Sequence, residues 1–143
     1  MGLAMTQLTP HFTLEEMLHT DTGITNIPDF EIIARLTQLA LVMEKVRSMC
    51  GGFPVYISSG YRCPELNAAV GGVDNSAHLY GCANDFTIPD FGNVDQVCNF
   101  LVPHLRELWI DQLINESGGG ARWVHLGLAV PPWKAPRHEY FTV

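Results

Sequence analysis

Basic side chains are scarce in this chain, which has 8 Lys and Arg residues against 15 Asp and Glu residues and a formal net charge of -7 at pH 7. Electrostatic binding to nucleic acid depends on clustered Lys and Arg side chains that neutralise phosphates. The few basic residues are scattered along the sequence. We therefore expect no nucleic-acid partner.

Long apolar runs are also missing. No stretch reaches the roughly 18 consecutive apolar residues that indicate a membrane-spanning helix. The opening segment "MGLAMTQLTPHF" lacks the basic region and apolar run that are typical of a secretory signal. We therefore expect no membrane insertion and no signal peptide, and hence a protein that is cytoplasmic as made.

Closely spaced cysteine pairs are absent. The chain has four cysteines and no C-x-x-C pair, so we do not expect a four-cysteine zinc site. These cysteines are Cys50, Cys63, Cys82 and Cys98. Because no export signal is predicted, we expect free thiols rather than disulfides.

No internal repeat, linker or low-complexity segment divides the 143 residues. This length is typical of one domain, and a hydrophobic content of 47% is sufficient for a compact core. We expect a monomer with a single domain over residues 1–143. Its core is predicted over about residues 11–130, followed by an irregular, proline-rich tail over residues 131–143.

Apolar periodicity predicts two main helices. In "DFEIIARLTQLALVMEKVRSMCGG", apolar residues recur every three or four positions, with Asp29 as a candidate N-cap and Gly51 and Gly52 as terminators. A second helix is predicted for "NVDQVCNFLVPHLRELW", with a kink at Pro103.

Short strands alternate with these helices. "FPVYISSGYR" and "CANDFTIP" have strand composition, and "DQLINE" and "RWVHLGLAV" flank the glycine-rich turn "SGGGA" as an antiparallel hairpin does. The predicted fold class is α+β, a small antiparallel sheet backed by helices, with the long helix behind it.

One stretch has the composition of a metal site. "SAHLYGCANDF" places His78 and Asp85 seven positions apart, with small residues between them. Zinc takes imidazole and carboxylate ligands and, in catalytic sites, leaves one position for water. A third ligand is expected from a neighbouring strand, where "RWVHLGL" supplies His125. The competing interpretation is a turn and a strand whose polar residues point outward.

The remaining histidines and one cysteine are less suitable as ligands. We expect the other histidines to be surface or capping residues; they are His11, His19, His104 and His138. Cys82 could bind zinc as a thiolate. Strand alternation, however, directs Cys82 away from the face of Asp85.

The blocks "SGYR", "N", "SAHLYGCAND" and "WVH" resemble, in this order, the motifs of the zinc D-alanyl-D-alanine carboxypeptidase family. That family also contains phage L-alanyl-D-glutamate endopeptidases and vancomycin-resistance D-Ala-D-Ala dipeptidases. The resemblance covers about residues 11–130, and "HFTLEEML" and "IPD" look like the small phage and prophage branch. It implies the fold shared by hedgehog domains and DD-peptidases.

The resemblance also implies roles for individual residues. His78, Asp85 and His125 would bind one Zn2+ ion. Arg62 would contact the peptide carbonyl or the developing oxyanion, for which its permanently charged, planar guanidinium is suited. Ser76 matches a position that helps to hold the substrate. The implied substrates are peptidoglycan stem peptides, cut at D-Ala-D-Ala or at L-Ala-D-Glu.

The chain departs from the family pattern three residues before the last histidine. Many relatives have Glu or Asp there as the general base, whereas this chain has Arg122, which stays protonated. In the predicted hairpin, Glu116 pairs with Trp123 and lies diagonally from His125, about 7 Å away. We therefore predict Glu116 as the base. Asp111 is a poorer alternative, because it begins the strand and is expected to cap the preceding turn.

Three functions agree with these features. The first is a zinc peptidase that acts on the bacterial cell wall, of the kind that a phage or prophage encodes as an endolysin. The second function, suggested by Arg122 at the position of the general base, is a zinc-containing cell-wall or phage-tail binding module that does not catalyse hydrolysis. The third is a metal-free structural domain.

Overall fold

The computed structural model describes residues 5–131 and 135–143. Residues 1–4 and 132–134 lie outside the described residues. The first range belongs to the segment in which no secretory signal is predicted, and the second belongs to the predicted tail. Within the part of the chain that the structure describes, no helix combines the length and the apolar character needed to cross a lipid bilayer.

Helices and strands alternate along the chain. The helices are α1 (Leu14–Leu18), α2 (Phe30–Met49), α3 (Pro64–Ala69) and α4 (Val94–Leu101), and short 3-10 turns cover Ala77–Tyr80 and Val102–His104. The strands are β1 (Gln7–Thr9), β2 (Phe12–Thr13), β3 (Tyr56–Ser59), β4 (Ala83–Thr87), β5 (Gln112–Gly118), β6 (Ala121–Gly127) and β7 (Glu139–Thr142).

The larger sheet has the strand order β3-β4-β6-β5-β7, and β1 and β2 form a separate two-stranded sheet. Neighbouring strands of the larger sheet are antiparallel except for β5 and β7, which are parallel. The predicted α+β class is therefore confirmed, while the expectation of a purely antiparallel sheet is corrected at this last pair.

The register of the β5–β6 hairpin is as predicted. Ile114 pairs with His125, and Glu116 pairs with Trp123. On the other side of β6, Asp85 pairs directly with His125. Because side chains alternate between the two faces of a strand, Glu116, His125 and Asp85 share one face of the sheet.

Helix α2 forms where its capping signals predict it. The carboxylate of Asp29 accepts a hydrogen bond from the Ile32 N–H at 2.8 Å, and Gly51 follows the helix with a φ of 89°. Its buried stripe comprises Ile32, Leu36, Leu39, Ala40, Met43 and Val46. These side chains belong to one hydrophobic core with Phe86, Val124 and Leu126 of the sheet.

The segment after α4 differs from its prediction. We predicted one helix kinked at Pro103, but α4 ends at Leu101 and Val102–His104 form a 3-10 turn. Proline has no N–H, and its ring clashes with the carbonyl four residues earlier. The helix therefore ends at this point instead of bending.

The predicted irregular tail is wrong for Glu139–Thr142, which form β7 beside β5. The approach to this strand is fixed by Arg137. Its backbone N–H donates to Asp111 Oδ1 at 2.7 Å, and its guanidinium binds both carboxylate oxygens of Asp111. Asp111 thus anchors the C-terminal strand. We had expected it to cap the turn before β5.

This anchor should make stability depend on pH. Burial raises the pKa of Asp111, but hydrogen bonds from Arg137 outweigh burial and leave the pKa below its ordinary value. The stabilisation is present above about pH 4, the pKa of an unfolded Asp, and is lost as the pH falls through the lower folded pKa.

We expect Asp111→Asn to lower the melting temperature at pH 7 by about 2–4 °C. The difference from wild type should shrink from pH 5 to pH 3, whereas Asp90→Asn, at an exposed aspartate, should have no effect. A constant difference over this range would contradict the assignment.

A buried amide in β4 destabilises the fold. Asn84 is fully buried on the face opposite Asp85 and pairs with Leu126. Neither side-chain polar atom has a hydrogen-bond partner among the described residues. An unsatisfied buried polar group costs about 1–3 kcal/mol, and an apolar group of similar shape avoids this cost. We expect Asn84→Leu to raise the melting temperature by about 2–4 °C in thermal unfolding. A lower melting temperature would contradict this account.

Candidate metal centre

His78 lies in a 3-10 turn that follows directly after Ser76. The Ser76 hydroxyl accepts a hydrogen bond from the His78 N–H at 3.2 Å. His78 Nδ1 lies 2.7 Å from the Gly60 carbonyl oxygen. Because a carbonyl only accepts, Nδ1 carries the proton, and the lone pair of Nε2 remains available on the other side of the ring. Histidine ligands of metals are oriented in this way.

Asp85 and His125 meet His78 from two paired strands. Asp85 Oδ1 lies 3.1 Å from His125 Nδ1 and 3.3 Å from His78 Nε2. All three side chains are buried, and each offers a ligand atom within 4.8 Å of the other two. The structure thus brings together the three residues that the sequence predicts as ligands.

The spacing of these atoms suits a metal ion. Tetrahedral zinc with bonds of about 2.0–2.1 Å holds neighbouring ligand atoms about 3.3 Å apart. The two distances from Asp85 Oδ1, 3.1 and 3.3 Å, lie close to this value. Two imidazoles and one carboxylate are also ligands that zinc prefers. These residues could therefore hold a metal ion.

Asp85 is a charged carboxylate. Burial by itself would raise its pKa, but the neighbouring imidazoles of His78 and His125 outweigh burial and hold the pKa far below its ordinary value. Its second oxygen, Oδ2, lies 3.4 Å from Arg62 Nη2. Arg62 therefore contacts the carboxylate on the side away from the histidines.

Arg62 is held by two further side chains. Its Nε donates to Ser59 Oγ at 3.2 Å, and its Nη1 donates to Asn67 Oδ1 at 3.3 Å. A Cβ at Gly72 would lie 2.0 Å from the same Asn67 oxygen, so a side chain there would displace the Asn67 amide from Arg62. These contacts link the "SGYR" block to the asparagine and to the glycine turn that follows it. The predicted contact of Arg62 with a peptide carbonyl stays a prediction.

Gly60 explains another part of the "SGYR" block. A Cβ at this position would lie 2.3 Å from the Met17 carbonyl oxygen, so the backbone can approach α1 only without a side chain. This approach positions the Gly60 carbonyl that orients His78. No local sequence pattern reveals the contact with Met17, so this role of Gly60 could not be predicted.

Glu116 faces the three grouped residues. Its Oε1 lies 4.0 Å from His125 Nδ1, and its Oε2 accepts a hydrogen bond from Trp123 Nε1 at 2.8 Å. The side chain is 26% exposed, so solvent can reach it. We had not predicted the hydrogen bond from Trp123, although the predicted pairing placed the two residues opposite each other.

Arg122 lies on the other face of the sheet. Its Nη2 donates to Asp95 Oδ1 and to Asn115 Oδ1, both at 2.6 Å. Arg122 therefore forms a polar cluster with Asp95 and Asn115, separate from the three grouped residues. It occupies the position at which the resemblance leads one to expect a general base.

The histidines of the candidate metal site, His78 and His125, open into a cleft of about 610 Å³. Its lining includes Arg62, Ser76, His78, Glu116 and His125. A larger cavity of about 870 Å³ lies beside α2 and contains none of these five residues. Cys82 lines that larger cavity, and burial raises the pKa of its thiol. Among the described residues, Cys82 does not belong to the group of His78, Asp85 and His125.

The other histidines contact different groups. His11 pairs with Glu44, His19 with Asp21 and His104 with Glu107, while His138 Nδ1 contacts the Ile110 carbonyl. None of them belongs to the group around Asp85 among the described residues.

A sequence model of the family described as Peptidase M15 matches residues 10–125, which include His78, Asp85, Glu116 and His125. No curated protein matches the chain.

Proposed function

This chain belongs to the peptidase M15 family, and we propose that it is a zinc-dependent peptidase that cleaves peptidoglycan stem peptides. Membership of this family implies a metallopeptidase and a peptide substrate. The proposal adds zinc as the bound metal and the cell wall as the target. It leaves two bonds as candidates, D-Ala-D-Ala and L-Ala-D-Glu.

The observation that carries the proposal is the arrangement of four side chains at one cleft. His78, Asp85 and His125 offer ligand atoms around a common point. Glu116 lies beside them with one oxygen 4.0 Å from His125 Nδ1. A metal ion with a carboxylate beside it in an open cleft is an arrangement that supports metal-assisted hydrolysis of a peptide bond.

Three residues of the chain would bind the metal ion, and a fourth would transfer the proton. His78 Nε2, Asp85 Oδ1 and His125 Nδ1 would hold the ion. Bound zinc polarises a scissile carbonyl and lowers the pKa of a water molecule. Glu116 would accept a proton from the attacking water at Oε1 and deliver it to the nitrogen of the leaving amine. The water oxygen would bond to the carbonyl carbon first, which places negative charge on the carbonyl oxygen. The C–N bond would break afterwards, when the nitrogen has received the proton and the carbonyl re-forms.

Three further residues would support this reaction. Trp123 holds Glu116 Oε2 at 2.8 Å and so orients the carboxylate. Arg62 contacts Asp85 and lines the cleft, from which its guanidinium would stabilise negative charge on the carbonyl oxygen. Ser76 caps the turn that carries His78 and lines the same cleft, where we propose that it also holds the substrate.

A second candidate function is a zinc-containing binding module of the cell wall or of a phage tail. The specific observation in its favour is Arg122, which replaces the expected acidic residue. In either case we propose a phage or prophage protein, cytoplasmic as made, that acts as a monomer at the bacterial cell wall.

One experiment separates these functions. The purified protein would be analysed for zinc by mass spectrometry and incubated with isolated peptidoglycan, followed by analysis of the released peptides. One zinc per chain and new peptide ends are expected for the peptidase. One zinc per chain without any cleavage would favour the binding module. Absence of zinc, together with intact peptidoglycan, would contradict both.

A further inference from the structure

Asn67 is a buried amide on α3, beside Arg62. Its Oδ1 accepts a hydrogen bond from Arg62 Nη1 at 3.3 Å, and its Nδ2 donates to the Val73 carbonyl at 2.9 Å. A carbonyl only accepts hydrogen bonds, and a guanidinium only donates them. The two contacts therefore fix which end of the amide faces Arg62.

The glycine turn after α3 keeps the space beside this amide clear. The Gly72 N–H donates to the Asn67 backbone carbonyl at 2.9 Å. A Cβ at Gly72 would lie 2.0 Å from Asn67 Oδ1 and 3.1 Å from Arg62 Nη1. The φ of Gly72 does not lie in the left-handed region, so the backbone itself would accept a side chain. Glycine at this position thus preserves the contact between Asn67 and Arg62.

Arg62 is held at each of its three nitrogens. Its Nε donates to Ser59 Oγ, its Nη1 to Asn67 Oδ1 and its Nη2 to Asp85 Oδ2. A guanidinium has five N–H groups, and one on each nitrogen is used in these contacts. The other two, one on Nη1 and one on Nη2, have no partner among the described residues. They are available to a ligand in the cleft that Arg62 lines.

The pair between Arg62 and Asp85 is long for an ion pair. Arg62 Nη2 lies 3.4 Å from Asp85 Oδ2, whereas a charge-assisted N–H···O contact usually spans about 2.7–2.9 Å. Opposite charges in a buried site attract strongly, so a guanidinium held by Asp85 alone would approach the carboxylate more closely. The contact with Asn67 opposes this approach, because it holds Nη1 on the other side of the guanidinium.

We propose that Asn67 is a positioning residue, which holds the Arg62 guanidinium away from Asp85 so that two N–H groups remain for the carbonyl oxygen of the scissile bond. This inference rests on the proposed function. Arg62 would act on charge that develops only in the transition state. Loss of the Asn67 contact should therefore lower kcat and leave KM unchanged within about twofold.

A double-mutant cycle tests this role. Initial rates on soluble peptidoglycan fragments and zinc content are measured for the wild type, Asn67→Ala, Arg62→Ala and the double variant. We expect kcat to fall about tenfold in Asn67→Ala and about 10²-fold in Arg62→Ala. The double variant should match Arg62→Ala, because the amide then has no guanidinium to position.

Several outcomes of the cycle would overturn the inference and leave the peptidase function intact. These are a kcat that Asn67→Ala leaves unchanged, losses that multiply to about 10³-fold in the double variant, and a lower zinc content in Asn67→Ala. A wild-type protein that cleaves no fragment would instead remove the proposed function, and the inference with it.

Gly72→Ala is a second variant, in which every polar side chain is retained and only the amide is displaced. Its kcat should also fall about tenfold, and adding it to Asn67→Ala should cause no further loss. Asn93→Ala is the matched control, because Asn93 Oδ1 caps α4 by accepting from the Gln96 N–H at 2.9 Å and does not line the cleft. Its melting temperature should fall by about 2–4 °C with kcat unchanged. An equal loss of kcat in Asn93→Ala would show that destabilisation alone explains the result, and would overturn the role of Asn67.

Discussion

Glu116→Gln is expected to lower kcat on peptidoglycan peptides by about 10³-fold, within the 10²–10⁴-fold range of general acid–base catalysis. Glutamine keeps the shape of the side chain and can still accept the hydrogen bond from Trp123 Nε1. It cannot accept the proton of the attacking water at neutral pH. Zinc content should remain one per chain, because Glu116 is not among the three grouped residues. The measurements are initial rates of peptide release and metal analysis of the same samples.

Arg122→Gln is the matched control for this variant. It also replaces a charged residue of the hairpin by glutamine, but Arg122 contacts Asp95 and Asn115 on the other face of the sheet. Activity should stay close to that of the wild type. The assignment of the base would be wrong if Glu116→Gln retained full activity. It would also be wrong if Arg122→Gln lost as much activity as Glu116→Gln.

Local sequence signals were sufficient to predict the hairpin that carries Glu116 and His125. The turn "SGGGA" and the alternation on both sides of it fix which residues pair, because a shift by one residue would move the apolar set to the wrong face. Asp29 and the two glycines after α2 fix that helix in the same way. In these segments the determinants lie within a few residues of the structure that they specify.

Contacts between distant segments could not be predicted in this way. Strand β7 pairs in parallel with β5, and its approach depends on the ion pair between Arg137 and Asp111, 26 residues apart. The Gly60 carbonyl reaches His78 only because the backbone passes close to Met17. The resemblance named the three ligands and Arg62, and the predicted hairpin pairing named Glu116, but the contacts that orient these residues required the structure.

His125→Ala is expected to weaken zinc binding by about 10³-fold or more. Partners that only orient a ligand contribute 10–100-fold to metal affinity, and His125 offers a ligand atom itself. The loss should be visible in thermal unfolding. A ligand at about 100 times its dissociation constant stabilises the native state by about 2.7 kcal/mol. Zinc added after the bound metal has been removed with a chelator should therefore raise the melting temperature of the wild-type protein by several degrees and leave that of His125→Ala unchanged.

His104→Ala provides the comparison, because His104 is a partly exposed histidine that pairs with Glu107 outside the metal centre. The melting temperature of His104→Ala should rise on addition of zinc as that of the wild type does. Removal of any one histidine would then not explain the missing zinc response of His125→Ala. The response to zinc is measured without substrate, and it therefore separates the metal centre from catalysis. A wild-type protein that does not respond to zinc would leave only the metal-free interpretation. An equal response in His125→Ala would show that the ion binds elsewhere, and the ligand set of His78, Asp85 and His125 would have to be abandoned.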